Sequence, residues 1–453
     1  MNFKRRSEKG ITLVALVITI IILIILAGVS INALIGENGL IGRAKLAKGQ
    51  YTNATIDEQE KLNELEAQLA MGQKPGLPEI TTDTEVGVQV KLSDKWATET
   101  GRYISTSTGL EVTSATKVAT VYAVSIGGGE CVPVPYGFYY VGGNLDTGVI
   151  ISDNEADKYD GTTDKTTYEY TTSLTGNQFV WIPCTTNSSD TSKTLYTKTS
   201  WGKQNAEWDT TTPKAEVQQI EKYGGFYVGR YEAGLASTIT EFTTNQKHTG
   251  SNQVYNLDGV PQSKAGVVPW MFIDWTHSKA NAESMYNNNY VSSGLITGTQ
   301  WDVILNTLIN KTDLTSTDMT NSSAWGNYMN NSISYTGRLA RVDYGTTNSS
   351  AWTLKPFGTL TSGTTATYSS NNGDLLTTGA SATTEKYHIY DIAGNLWEWT
   401  EEDSHYATSG QYRVHRGGSY IYASSDFPAC YRGCASVSGT YHDIGFRAVL
   451  YIK

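Results

Sequence analysis

The residues with most chemistry in their side chains crowd the C-terminal end of this chain. Cys430-Tyr431-Arg432-Gly433-Cys434 sets two thiols four positions apart. Thiolates are nucleophiles and ligands for soft metals, and two thiols can also close a disulfide. In a strand, residues four apart are about 13 Å apart, so a bridge would need a helical or tightly turned backbone. His442 is one of six histidines. No nucleophile or paired carboxylate accompanies it in sequence, which makes it a contact residue rather than a catalyst. Around these lie Tyr420, Tyr422, Ser424, Ser425, Asp426, Tyr431, Ser436, Ser438 and Tyr441. Rigid Tyr interspersed with small adaptable Ser and Gly gives large contact area at low entropy cost, as in antibody paratopes. These nine positions and His442 are the candidate ligand-facing set. The alternation of Tyr420 and Tyr422 would put both rings on one face of a strand. Gly417, Gly418 and Gly445-Phe446-Arg447 read as scaffold.

The elements that must position these groups read as an α+β chain. Tyr (29), Trp (11) and Gly (44) are abundant while charged residues make up only 17%, a mix suited to strands and polar loops with aromatic anchors. The net charge of −10, with no basic stripe beyond the first ten residues, excludes a nucleic-acid partner. Four cysteines (Cys131, Cys184, Cys430, Cys434) permit disulfides without requiring them. Short β-prone runs from 85 to 125 suggest a small β spacer, with Gly127-Gly128-Gly129 marking a boundary.

At the N-terminus Lys4, Arg5, Arg6 and Lys9 precede an uncharged apolar run over residues 11–35. A helix of that length exceeds the roughly 30 Å hydrocarbon core of a bilayer. The preceding basic residues predict a cytoplasmic N-terminus and an extracellular remainder. A plain single-span anchor satisfies this pattern. The junction Lys9-Gly10-Ile11-Thr12-Leu13 also resembles the type IV prepilin cleavage and methylation signal. That resemblance implies a cut between Gly10 and Ile11 and possible association with pilin-like subunits. Ala15 stands where pilins usually carry Glu, so processing is implied more strongly than polymerisation. Leu62, Leu65 and Leu69 continue at helical spacing as a stalk, which Gly72, Pro75, Gly76 and Pro78 end. The expected domains are a leader at 1–10, a transmembrane pilin-like helix and stalk at 11–70, a linker and spacer at 71–130, and a main domain at 131–453.

The main domain carries ordered blocks. They are Phe179-Val180-Trp181-Ile182-Pro183, Gly225 to Glu232, Val267-Val268-Pro269-Trp270 with a helix-like Ser278 to Tyr286, and Leu295 to Trp301. Tyr390 to Thr400, Arg416-Gly417-Gly418-Ser419-Tyr420 and Gly445-Phe446-Arg447 follow. The set, in this order over residues 133–453, resembles the formylglycine-generating-enzyme (sulfatase-modifying factor) family. That resemblance implies a C-type-lectin-like fold. It also implies a structural calcium held by Asp391, Gly394, Leu396 and Glu398, two carboxylates and two carbonyls being an oxygen set suited to a hard cation. Trp397 and Trp399 would then anchor the loop in the core.

Two uses of this fold are open. The family's oxidases hold copper(I) between two C-terminal cysteines; Cys430 and Cys434 lie in that region but with three residues between them instead of four. The chain is also similar to the variable proteins of diversity-generating retroelements, in which the segment from the Gly-Gly-Ser block to the Gly-Phe-Arg block is diversified by mutation at adenines. Asn-type codons so mutated cannot yield Lys, Glu, Gln, Met or Trp, and residues 413–452 contain none of these five. The expectation is therefore a membrane-anchored surface protein without enzymatic activity that binds an extracellular protein or glycan. An extracytoplasmic formylglycine-generating oxidase and a structural minor pilin are the alternatives.

Overall fold

In a computed structural model, the described residues are 82, 85–91, 121–167, 173–199, 201, 214–237, 258–336, 341–342, 365–369, 375–404 and 411–453. They all fall in the second of two compact units, Gly76–Lys453. The leader, the apolar run at 11–35 and the stalk lie outside the described residues. Among those that are described, no helix is long and apolar enough to cross a membrane.

The unit is mixed α/β, mostly β-sheet with few helices. A three-stranded sheet pairs β1 (Gln89–Lys91), β2 (Val121–Gly127) and β3 (Glu130–Pro135) in that order. Gly127-Gly128-Gly129, all at positive φ, turn β2 back onto β3, with Ser125 opposite Cys131. The triglycine is thus a hairpin turn, and the boundary expected at 130/131 falls inside one ladder. Val124, Val132 and Val134 are buried in the same core as Phe179 and Trp181, so this hairpin belongs to the main domain.

The principal sheet uses β4 (Tyr139–Gly142), β5 (Val149–Ser152), β6 (Gln178–Thr185), β8 (Gly225–Gly229), β18 (Ala448–Ile452) and β9 (Val291–Leu295), in the order β4-β5-β6-β8-β18-β9. The short β7 (Thr194–Leu195) pairs with β6 in parallel. β6, β8 and β18 read as near-continuous apolar runs because they are buried almost throughout. Helix α1 (Lys214–Tyr223) precedes β8, and α2 (Trp275–Met285) precedes β9. The Asp274 carboxylate caps α2 by accepting the His277 N–H at 2.8 Å. Helix α3 (Gly298–Lys311) starts at a capping box in which Thr297 and Gln300 satisfy each other's backbone N–H groups. Helix α4 (Ser316–Thr320) follows, with two ribbons, β10 (Ser332–Thr336) on β12 (Thr365–Ser369) and β11 (Arg341–Val342) on β13 (Leu375–Leu376).

A second, four-stranded sheet runs β16 (Arg432–Ser436), β15 (Tyr412–Arg416), β14 (Trp397–Asp403), β17 (Ile444–Phe446). The last pair is parallel, with Glu398 opposite Gly445. Two-residue alternation puts Glu398, Arg416 and Arg432 on one face and Trp397, Trp399 and His415 on the other.

β15 ends where Gly417 (φ 97) and Gly418 (φ 77) turn away. The chain from Tyr420 to Tyr431 therefore runs in turns, and the strand expected for Tyr420 and Tyr422 is absent. A Cβ on Gly418 would sit 2.1 Å from the Phe427 carbonyl oxygen and 2.6 Å from the Tyr328 ring. Strain and overlap act together there, so Gly418→Ala should destabilise the protein by at least about 2 kcal/mol. A melting curve indistinguishable from wild type would refute this account of the turn.

Candidate functional site

The C-terminal segment is built on two buried ionic nodes. In the first, α3 presents Asp302 to Arg416 on β15 and Arg432 on β16. The Arg416 Nη2 donates to Asp302 Oδ1 at 2.8 Å and the Arg432 Nη2 to Asp302 Oδ2 at 2.5 Å. Arg432 Nε reaches both oxygens of Glu402, at 3.1 and 3.2 Å. The side chains of all four are wholly buried. The Arg416 guanidinium also lies over the Trp301 ring at 5.9 Å. Burial, then the like charge of Arg432, lowers the Arg416 pKa from its ordinary value.

In the second node, Arg447 forks onto Glu398, with Nε at 3.1 and 2.9 Å from its two oxygens and Nη2 at 2.5 Å from Oε1. Nearby, Glu232 at the end of the β8 block accepts the Leu396 N–H at 2.9 Å and the Asn395 Nδ2–H at 2.5 Å. Asn395 spends its remaining capacity on Asn327 and Leu376. It does so from a left-handed conformation (φ 59), which Asn tolerates better than most residues. Burial, reinforced by Asp391 and Glu398, pushes the Glu232 carboxyl well above the ordinary carboxylate range. Glu232 and Asn395 were not among the residues singled out by sequence. The available signal was their place in the two ordered blocks.

The four residues of the expected calcium set can be tested against this geometry. The Asp391 carboxylate accepts the Gly379 N–H at 2.9 Å and the Thr384 hydroxyl at 2.7 Å. The Glu398 carboxylate is chelated by Arg447. Gly394 is pressed against Asn327, with its missing Cβ 2.1 Å from the Asn327 carbonyl oxygen. Each carboxylate thus already takes protein donors, from different partners. Among the described residues, no group of three or more His, Cys, Asp or Glu side chains is disposed to hold a metal ion.

The thiols separate as well. Cys430 is buried beside Trp301, Tyr328 and Met319, while Cys434 is half-buried on β16. No disulfide links them. Burial raises the Cys430 thiol pKa, which disfavours the thiolate that copper binding or nucleophilic attack needs. The motif has a packing explanation instead. Arg432 enters the first node, and Gly433 makes room for His415, whose Cε1 lies 2.2 Å from where a Cβ would be. His415 is itself buried edge-on to Trp397 (4.6 Å) and Trp399 (5.7 Å), and burial pushes its pKa down to about 3.

The ten ligand-facing candidates divide into three groups by exposure. Ser425, Asp426 and Ser438 are exposed, and Tyr422, Tyr431, Ser436, Tyr441 and His442 are half-buried. Tyr420 and Ser424 are corrections: both are fully buried. Tyr420 packs among Met271, Leu375 and Leu396, and Ser424 is fastened to Asn330 through its N–H and its hydroxyl. Phe427, half-buried and absent from the sequence-derived set, takes their place. Its ring packs 4.6 Å from Tyr422, 4.8 Å from Tyr431 and 5.6 Å from Trp397. Tyr422, Phe427 and Tyr431 thus form an aromatic shelf on a Trp397 base, with Ser425 and Asp426 in the same loop. The shelf is preorganised by edge-to-face contacts.

Asp443 sits beneath this surface, close to Tyr422 and Tyr441. Its carboxylate takes a Ser419 hydroxyl at 3.3 Å, and burial raises its pKa to about 6. The folded-state pKa exceeds the ordinary 3.8, so the protonated form is preferred on folding. The associated stability is present below about pH 4 and is lost as pH rises through about 6, a change of roughly 3 kcal/mol. Asp443→Asn lacks this titration. Its stability relative to wild type should therefore rise between pH 4 and 6 and level off above. Denaturant titrations of both proteins at a series of pH values measure the difference, and a flat difference would contradict the assignment.

A family model described as "Sulfatase-modifying factor enzyme 1-like domain" matches residues 203–452, more than half of the chain. The Phe179 block and the first strands lie before that span. No curated protein matches the sequence. Among solved structures, the chain is similar to Treponema denticola variable protein 1, at 15% identity over 60% of this chain and 95% of that one, with a TM-score of 0.28. It is also similar to CarF, at 15% identity over 57% and 97% of the two chains, with a TM-score of 0.29.

Proposed function

The chain belongs to the sulfatase-modifying factor enzyme 1-like domain family, and we propose that it is a ligand-binding member that displays its C-terminal segment as a recognition surface. The observation that carries this reading is the division of residues 413–452 between frame and surface. Every arginine from 416 to 447 is withdrawn into a buried ion pair. The rings of Tyr422, Phe427 and Tyr431 are held half-exposed on Trp397. Amphipathic rings fixed in place, with hydroxyls and small residues between them, suit non-covalent contact with an extracellular protein or glycan. The lack of Lys, Glu, Gln, Met and Trp in the segment supports diversification at adenines as the source of its composition. The oxidase alternative is disfavoured by Cys430, whose thiol is buried with a raised pKa.

The proposal includes anchoring. The apolar run at 11–35, with basic residues before it, supports a single span with the domain outside the cell. The Lys9-Gly10-Ile11 junction supports prepilin-type processing. Whether a ligand or pilin-like subunits meet the protein first, the anchor places the domain at the cell surface.

Deep sequencing of the coding region across a population tests the recognition reading. Codons for Tyr422, Ser425, Asp426, Tyr431, Ser436, Ser438, Tyr441 and His442 should vary at adenines, while those for Gly417, Gly418 and Arg447 stay fixed. A uniformly invariant segment, with no reverse transcriptase gene and no near-copy of the segment nearby, would sink it. Copper-dependent oxygen uptake with a cysteine-containing sulfatase peptide should be absent. Uptake that Cys434→Ala abolishes would replace this reading with the oxidase. The processed protein should begin at Ile11 by mass spectrometry, and any other mature N-terminus removes the prepilin part.

A further inference from the structure

The aromatic shelf and its surroundings carry an imbalance of charge. From 387 to 452 the chain has no lysine. Arg416, Arg432 and Arg447 are held in the buried nodes, and Arg413 pairs with Asp403 at 2.5 Å. Burial keeps His415 neutral by pushing its pKa down to about 3. His442 turns its ring to Phe272 and Tyr420, at 6.5 and 6.4 Å. The carboxylates are not matched in the same way. Asp426 is exposed in the shelf's own loop and accepts the Ser425 hydroxyl at 3.4 Å. Among the described residues, no Lys, Arg or His lies within ion-pair distance of it. Asp443, close to Tyr422, has a Ser419 hydroxyl for a partner, and a pKa of about 6 leaves it ionised at neutral pH. The groups that flank the shelf from 329–330 are uncharged. The Met329 N–H donates to the Tyr422 carbonyl, and Asn330 holds Ser424.

We infer that the shelf receives a lysine or arginine side chain of a protein partner, seated against the Tyr422, Phe427 and Tyr431 rings beside Asp426. This rests on the recognition role proposed for the surface and says what the surface takes. Aromatic rings carry negative faces, which attract an ammonium or guanidinium group. Phe427 is inclined at 59° to Tyr422 and at 80° to Tyr431, so no ring is stacked flat on its neighbour. The Trp397 ring lies 5.6 to 6.3 Å from all three. Two carboxylates without cationic partners add to the same field. An anionic ligand would find no free cation here to meet it, and a neutral glycan would gain nothing from the carboxylates. Charge complementarity therefore favours a basic side chain, and it also suppresses acidic partners.

The probe is a random linear peptide library selected on the full chain immobilised in detergent. Selected peptides should share a Lys or Arg at one position. Replacing that residue by Ala should abolish measurable binding. Asp426→Lys should weaken the selected peptides at least roughly tenfold, because attraction becomes like-charge repulsion, whereas Asp426→Glu should bind them as wild type does. Tyr431→Ala should weaken them several-fold at unchanged net charge, which general attraction to an acidic protein would not produce. Asp426 is exposed, so its variants should melt as wild type does, and they decide the matter should Tyr431→Ala fail to fold. Neutral or acidic selected peptides, binding to a neutral-glycan array in place of peptides, or basic peptides indifferent to Asp426→Lys would overturn this inference and leave the recognition role standing. No selected peptide and no bound glycan would remove both.

Discussion

A charge removed from water must be met by an opposite charge and by hydrogen bonds, and this domain removes several at once. Arg416, Arg432 and Arg447 are all fully buried, as are Asp302, Glu402 and Glu398 that face them. Breaking a buried pair by deleting one partner costs about 3–5 kcal/mol, because the other charge is left uncompensated. Each pair therefore fixes a register that few alternatives could share. Asp302 ties α3 to β15 and β16, while Arg447 ties β18's leading turn to β14 and β8. The second sheet is held between these two points, and the exposed positions between them, Ser425, Asp426 and Ser438, take no part in either node.

That arrangement also fixes the floor beneath the half-buried rings of the C-terminal segment. Trp397 and Trp399 alternate with Glu398, so one strand supplies both the aromatic floor and the ionic anchor. His415 wedges against both indoles because Gly433 leaves room for it. Tyr422, Phe427 and Tyr431 then rest on a floor that is already fixed from behind. Aromatic rings packed edge-to-face lose little further freedom when a ligand arrives, which favours affinity through preorganisation.

Much of this was legible in the sequence where local rules decide. The block at Leu295–Trp301 does form a strand end and a capped helix start, because Thr297 and Gln300 satisfy the orphan N–H groups locally. Gly417, Gly418 and Gly445-Phe446-Arg447 are scaffold, and Trp397 and Trp399 are core. What failed depended on the direction of a turn or on partners distant in sequence. Tyr420 and Tyr422 were read as strand neighbours, but two left-handed glycines end β15 first and send one ring inward. The triglycine looked like a boundary because glycine marks both linkers and tight hairpins, and only the Ser125–Cys131 pairing distinguishes them. Glu232 and Asn395 lie 163 residues apart, so nothing in either neighbourhood announced their contact.

The two cysteines flank residues that packing fixes. Their spacing suggested paired thiolates, yet the residues between them are the ones the structure needs. Arg432 must point at Asp302 and Glu402, and Gly433 must lack a side chain beneath His415. Those two demands put β16 in extended backbone from Arg432 onward, while Cys430 lies before the strand in the apolar cluster around Trp301. A thiol in that environment is stabilised as the neutral form. The segment between the two cysteines thus holds the sheet, and beside it Tyr422, Phe427 and Tyr431 are left half-buried.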